Sequence, residues 1–194
     1  MELEQEEKAP KKSGKSEMWE WIKAIAIAVV LVILIRWLVF KPFIVDGPSM
    51  QPNFHTGERL IVSEWVYKFR KPHRGEVVVF HATETKDYIK RVIALPGEKI
   101  KISDGVVYIN DQPLDEPYIK EAVEQYRQTH TNMEYNADFP ETTVEAGHVF
   151  VMGDNRVDSQ DSRMIGSIPY SKVIGRADIV FWPLSDLSFI KHSN

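Results

Sequence analysis

From Ile22 to Phe40 the chain reads IKAIAIAVVLVILIRWLVF, an apolar run broken only by Lys23 near one end and Arg36 near the other. Drawn as a helix it spans roughly 28 Å, close to the hydrocarbon thickness of a bilayer. Trp19, Trp21 and Trp37 stand near its ends, where indoles favour the interface, and Lys23 and Arg36 are long enough to snorkel outward. The alternative is a buried core helix, but a helix of this length in a soluble protein would normally show a polar stripe, and none is visible. A cleavable signal peptide fits poorly as well, because Ala24-Ile25-Ala26 lies inside the run and the run outlasts a usual h-region. We therefore expect an uncleaved transmembrane signal anchor over residues 19–40.

Basic residues orient it. Lys8, Lys11, Lys12 and Lys15 precede the span and Lys23 opens it, whereas beyond it only Lys41 lies close before Arg59. The expectation is a single-pass cell-membrane protein: a Glu- and Lys-rich disordered cytoplasmic tail over residues 1–18, the anchor, and an extracytoplasmic domain over 41–194. A chain of 194 residues suffices for one core plus such an appendage. Net charge of −4 gives no electrostatic reason to expect nucleic acid as a partner. The absence of cysteine removes disulfides, thiolate nucleophiles and sulfur-based zinc sites.

After the anchor, short β-prone runs recur between turn signals: FIVDG, RLIVSEWVY, GEVVVF, DYIKRVIAL, KIKISDGVVYIN, GHVFVMGD and GRADIVFWPL. Asp104-Gly105, between KIKIS and VVYIN, marks a hairpin whose two turn positions need positive φ. The domain is expected to be mainly β. Residues from about 112 to 145 interrupt the pattern with Pro113, Pro117, Pro140 and the helix-compatible YIKEAVEQYRQ, and read as an excursion from the main sheet.

Three stretches could carry chemistry. In FIVDGPSMQPNF an apolar strand ends in a turn with Ser49 at its tip, where a hydroxyl is exposed and the residue's own N–H can meet an oxyanion; Gly-Pro-Ser is also ordinary turn composition. In DYIKRVIALPGE, alternation puts Lys90 on a face with Tyr88, Val92 and Ala94 and sends Arg91 to the other. An ammonium against that apolar face loses hydration, which lowers its pKa and would let a neutral amine accept the Ser49 proton; a strand-edge lysine in water is the plain alternative. VMGDNRVDSQDSRMIG gathers Asp154, Asn155, Arg156, Asp158, Ser159, Asp161, Ser162 and Arg163 into one polar loop, without the Gly and distant Glu of an EF-hand. The six histidines, His55, His73, His81, His130, His148 and His192, show no HExxH spacing, so no metal site is expected, while a Ser-His-Asp triad assembled in space stays open.

GPSMQP, YIKRVIALPGE and GDNRVDSQDSR, in that order behind an N-terminal anchor, resemble the signature boxes of the bacterial type I signal peptidases, in their short single-span Gram-positive form. The resemblance runs from the anchor to about Gly166. It implies a β-rich catalytic core with a smaller inserted domain. Ser49 would be the nucleophile and Lys90 the general base, Ser159 would orient Lys90, Asp161 and Arg163 would form a supporting ion pair, and Asp154 and Arg156 would brace the loop. It also implies cleavage of secretory preproteins after Ala-X-Ala sites, with no cofactor, at the bilayer and beside the protein translocation machinery. Strand FIVDG would pair with the substrate, with Val45, Asp46, Gly47 and Ile89 shaping small pockets. One departure stands out: many members carry a serine two positions before the nucleophile, and this chain has Gly47. Two rivals remain, a catalytically silent tethered β-domain that binds peptides and a self-cleaving repressor of related fold; the anchor and the lack of a DNA-binding module speak against the second.

Overall fold

The computed structural model describes residues 14–130 and 133–192. The chain divides into two units, Met1–Val39 and Phe40–Asn194. In the first, helix α1 covers Gly14–Val39. Its described side chains include Trp19, Trp21, Ile22, Ile25, Ile27 and Val32, all exposed. Residues 14–18, expected within the tail, are already helical; the rest of the expected tail lies outside the described residues. Among the described residues no helix is long and apolar enough to cross a membrane. Positions 34–40 of the expected span lie outside those whose side chains are described.

The second unit is mainly β, as its runs of β-branched residues require. Its strands are β1 (Phe40–Ile44), β2 (Arg59–Ser63), β3 (Val77–His81), β4 (Asp87–Ala94), β5 (Lys99–Ser103), β6 (Val106–Ile109), β7 (Gln112–Pro113), β8 (Phe139–Thr143), β9 (His148–Met152), β10 (Ile168–Pro169), β11 (Val173–Trp182) and β12 (Ser188–Phe189). The larger sheet runs β1-β2-β11-β3-β4-β9-β10, with β12 paired to β11, and the smaller runs β7-β6-β5-β8. Every pairing is antiparallel. Short helices α2 (Val66–Phe69), α3 (Lys120–Thr129) and α4 (Ser162–Ile165) fill the connections.

Three differences from the sequence reading have physical causes. The RLIVSEWVY run ends as a strand at Ser63 and turns helical at Val66, where Trp65 and Phe69 stack at 6.1 Å on one side of the turn. The smaller sheet begins at Lys99, ahead of the excursion expected from 112, because β8 returns to pair with β5 and draws the β5–β6 hairpin out of the main sheet. The hairpin itself has the expected backbone, with φ of 51° at Asp104 and 76° at Gly105. Finally, β4 shifts register against β9 between Val92 and Ala94. That irregularity ends the strict alternation, so Val92 packs in one cluster with Val78, Phe80 and Tyr88, while Ala94 joins Ile93, Ile100 and Phe150 in another.

Among the open strand edges, two lie near each other, one in β1 and one in β4. β1 ends the larger sheet, and β9 pairs with β4 only from Arg91 onward. Residues 87–90 of β4 therefore have β3 on one side and no strand on the other.

Candidate active site

The turn after β1 is fixed before any chemistry is considered. Val45 N–H donates to the Glu58 carbonyl and the Val45 carbonyl accepts from Gly57, extending the β1–β2 hairpin by one residue. Met50 and Phe54 then sink into the core beside Val45, Leu60 and Val79. Burial of a side chain such as Met50 contributes about 1.5–3 kcal/mol, enough to pin the turn next to Ser49. Gly47 has φ of +93° with open space where a Cβ would stand. A serine at that position would therefore be strained by the backbone rather than by crowding.

The loop after β9 grips the same turn from the other side. Asn155 N–H donates to the Ser49 carbonyl at 3.1 Å, and Asn155 Nδ2 donates to the Pro48 carbonyl at 3.3 Å. Gln51 N–H donates to Pro48 as well. The Pro48–Ser49 peptide is trans, so the Ser49 N–H points away from these donors, and it has no acceptor among the described residues. Gly153 allows this approach: a Cβ there would stand 2.4 Å from the Ser49 carbonyl oxygen and 2.2 Å from Ser159 Oγ.

Lys90 is the partner of Ser49. Its Nζ stands 2.7 Å from Ser49 Oγ, donates to the Ile89 carbonyl at 2.9 Å and lies 5.2 Å from the Tyr88 ring centre. Only 3% of Lys90 is exposed. Burial strips hydration from the ammonium and pushes its pKa down to about 8, against the opposing pull of the Asp161 and Asp154 carboxylates. A neutral amine here donates one N–H to Ile89 and turns its lone pair to the serine hydroxyl. None of the six histidines lines the cleft that holds Ser49 and Lys90.

The supporting residues gather around this pair with some unexpected partners. Asp161 accepts from Arg163 Nε at 2.9 Å and Nη2 at 2.8 Å, from Gly153 N–H at 3.0 Å, and caps α4 through Arg163 N–H. Burial would raise its pKa, but these donors and the Arg163 charge outweigh it and hold the carboxyl below its ordinary range. Asp154 pairs with Arg91, through Nε at 2.8 Å and Nη2 at 2.6 Å, and also accepts from Asn53 Nδ2. Arg156 forks onto Glu116 and reaches Asn136 and the Gly153 carbonyl, with Tyr118 donating to the same Glu116. Ser159 Oγ is buried and makes no hydrogen bond of normal geometry, to Lys90 or to any other described residue, although it lies close enough to Asp161 to favour that carboxylate. The sequence reading gave no role to Arg91, Glu116, Asn53 or Asn155. Only the odd-face position of Arg91 in β4 hinted at its role.

A cleft of about 280 Å³ opens over Ser49 and Lys90, lined also by Val45, Asp46, Gly47 and Ile89 and by Phe43, Leu60, Val79 and Tyr88. All four residues expected to contact substrate thus border the same space. Among the described residues no cluster of His, Asp or Glu could hold a metal ion.

Residues 18–182 match the family described as "Signal peptidase, peptidase S26". The chain is similar to Signal peptidase I of Bacillus licheniformis, 40% identical over 184 residues, covering 94% of this chain and 97% of that one. It is 38% identical to Signal peptidase I of Bacillus amyloliquefaciens, covering 93% of each. Signal peptidase IB of Staphylococcus aureus is 34% identical, covering 90% of this chain and 95% of the relative. The crystal structure of a signal peptidase I from Enterococcus faecalis, 34% identical, superposes with a TM-score of 0.50 over 55% of this chain and 97% of its own. With an S26 match over most of its length and relatives that it covers almost end to end, the chain belongs to the S26 family of signal peptidases and is a serine endopeptidase.

Proposed function

We propose that this enzyme removes N-terminal signal peptides from secretory preproteins, with Ser49 as nucleophile and Lys90 as general base. The observation that carries this reading is the 2.7 Å contact between a deeply buried lysine amine and a serine hydroxyl at the floor of a cleft. Neutral Lys90 takes the Ser49 proton as Oγ attacks the scissile carbonyl. The unengaged Ser49 N–H faces the developing oxyanion, and with Gly47 supplying no hydroxyl the second donor is a backbone group or water. Protonated Lys90 then hands its proton to the leaving amine, and water, deprotonated by the same amine, releases the acyl group. Ser159 has a buried hydroxyl that makes no hydrogen bond of normal geometry, and we assign it the role of steadying Lys90 once Ser49 is acylated. Asp161–Arg163, Asp154 and Arg156 hold the loop that grips the nucleophile turn.

The extended substrate adds a strand in this scheme, using the open edges of β1 and of residues 87–90. Val45 and Ile89 leave room for small side chains, in keeping with Ala-X-Ala sites. We assign α1 the role of a single-pass anchor with its N-terminus in the cytoplasm, since its described apolar side chains, from Met18 to Ile33, are exposed, and the run from Ala24 to Ile33 carries no polar residue. The catalytic unit then works outside the bilayer, close to the lipid and to the translocation machinery. Purified enzyme and its Ser49→Ala variant, each incubated with a preprotein carrying an Ala-X-Ala site, test the reading. The wild type should release the signal peptide and the variant should not, at equal thermal stability. Cleavage by the pure variant would remove Ser49 from the mechanism.

A further inference from the structure

The cleft does not end at the residues that flank the dyad. A second cavity, about 460 Å³, is lined by Phe43, Glu64, His81, Asp87 and Ile174, and it shares Phe43 and Asp87 with the first. The two form one groove that passes between β1 and the open edge of β4. Asp87 stands where they meet, and its carboxylate is held by His81, whose Nδ1 lies 2.6 Å from Asp87 Oδ1. The first cavity adds Asp46 and Asp158 to the rim, and among the described residues Lys90 is the only lysine or arginine lining either cavity. Among the described lining residues, acids thus outnumber bases along the groove, and Asp87 is the one that borders both cavities.

We propose that Asp87 is a specificity-determining residue that reads the charge of the substrate upstream of the scissile bond, favouring a basic side chain and disfavouring an acidic one. This rests on the cleft being the substrate site. In this scheme the peptide runs parallel to β1 with its scissile carbonyl at Ser49, so it passes Phe43 several residues before the cut. A side chain at that point leaves the apolar floor and meets the Asp87 carboxylate. Opposite charges within a few ångströms at a partly exposed site attract modestly and like charges repel by a similar amount, so the contact acts as a selector rather than an anchor.

Three peptide substrates test it, identical except for Lys, Gln or Glu, with the varied residue moved one position at a time upstream of a common Ala-X-Ala site. At low salt kcat/KM should fall in the order Lys, Gln, Glu at the position that meets Asp87, with about three- to tenfold between the extremes, and the spread should shrink at high salt. Asp87→Asn should bring the ratio toward one, and Asp87→Glu, which keeps the charge, should preserve the order. Equal cleavage of the three peptides at every position, or an unchanged ratio in Asp87→Asn, would overturn the proposal. Failure of the wild type to cut even the Gln peptide would instead overturn the assignment of the cleft.

Discussion

Lys90 meets two opposing demands. As the proposed base it must lose its proton near neutral pH, and as a buried group it costs stability until it does. Burial brings its pKa from 10.5 to about 8, a displacement corresponding to about 3 kcal/mol. Activity and stability should therefore follow pH in linked ways. The neutral fraction grows as pH rises, so kcat/KM should climb through an alkaline limb near 8. A histidine base would put that limb nearer about 6.5. Lys90→Arg should be inactive although the charge is kept, because guanidinium does not give up its proton. Since the folded value lies below the unfolded one, the folded protein binds fewer protons between about 8 and 10.5, and stability rises with pH across that window. Lys90→Met should thus be inactive yet more stable at pH 7, by up to about 3 kcal/mol, with the gain fading toward pH 10.5. Urea unfolding of both proteins at the two pH values measures this, and a methionine variant no more stable than wild type would show that the buried amine is not under desolvation strain.

At the scale of elements, the site depends on the loop between β9 and α4 more than on any strand. Asp161 is fully buried and ties Arg163, the α4 N-terminus and the Gly153 N–H into one knot. Removing one partner of such a pair leaves a buried charge uncompensated, at a cost of about 3–5 kcal/mol. Asp161→Ala and Arg163→Ala should each lower the thermal midpoint along with turnover, and unchanged unfolding in both would show that the pair does not hold the loop. This knot was legible in the sequence only through the resemblance of its box, because i to i+2 partners across a helix cap leave no periodic trace. The placement of Lys90 was more legible: alternation alone put Lys90 and Arg91 on opposite faces of β4, and so they stand, whereas the pairing of Lys90 with Ser49 was selected only by the resemblance. The partner of Asp154 was hidden for the same reason that makes it effective, since Arg91 reaches it across 63 positions of chain. Likewise the early start of the smaller sheet at Lys99 depends on β8 returning to pair with β5, and no local pattern records a pairing that distant.

At the scale of the whole molecule, the chemistry and the proposed anchoring reside in separate units. The proposed catalytic residues, the groove and the ion pairs that hold the loop all fall within Phe40–Asn194, which forms a compact unit of its own. The anchor reading predicts where that unit lies. If α1 spans the bilayer with its basic flank inside, protease added to intact spheroplasts should digest the chain beyond Lys41 and spare a tag at the N-terminus, and permeabilised cells should lose both. The charge bias that sets this outcome is countable, since Lys8, Lys11, Lys12 and Lys15 precede the run and only Lys41 closely follows it. Replacing those four lysines with glutamine while adding lysines after Lys41 should therefore shift part of the population to the reverse orientation. In that orientation the catalytic unit is protected, and preprotein processing in cells falls even though the detergent-solubilised enzyme still cleaves a peptide. A wild-type protein whose N-terminal tag is digested while its catalytic unit is spared would contradict both the orientation and the extracytoplasmic site of cleavage.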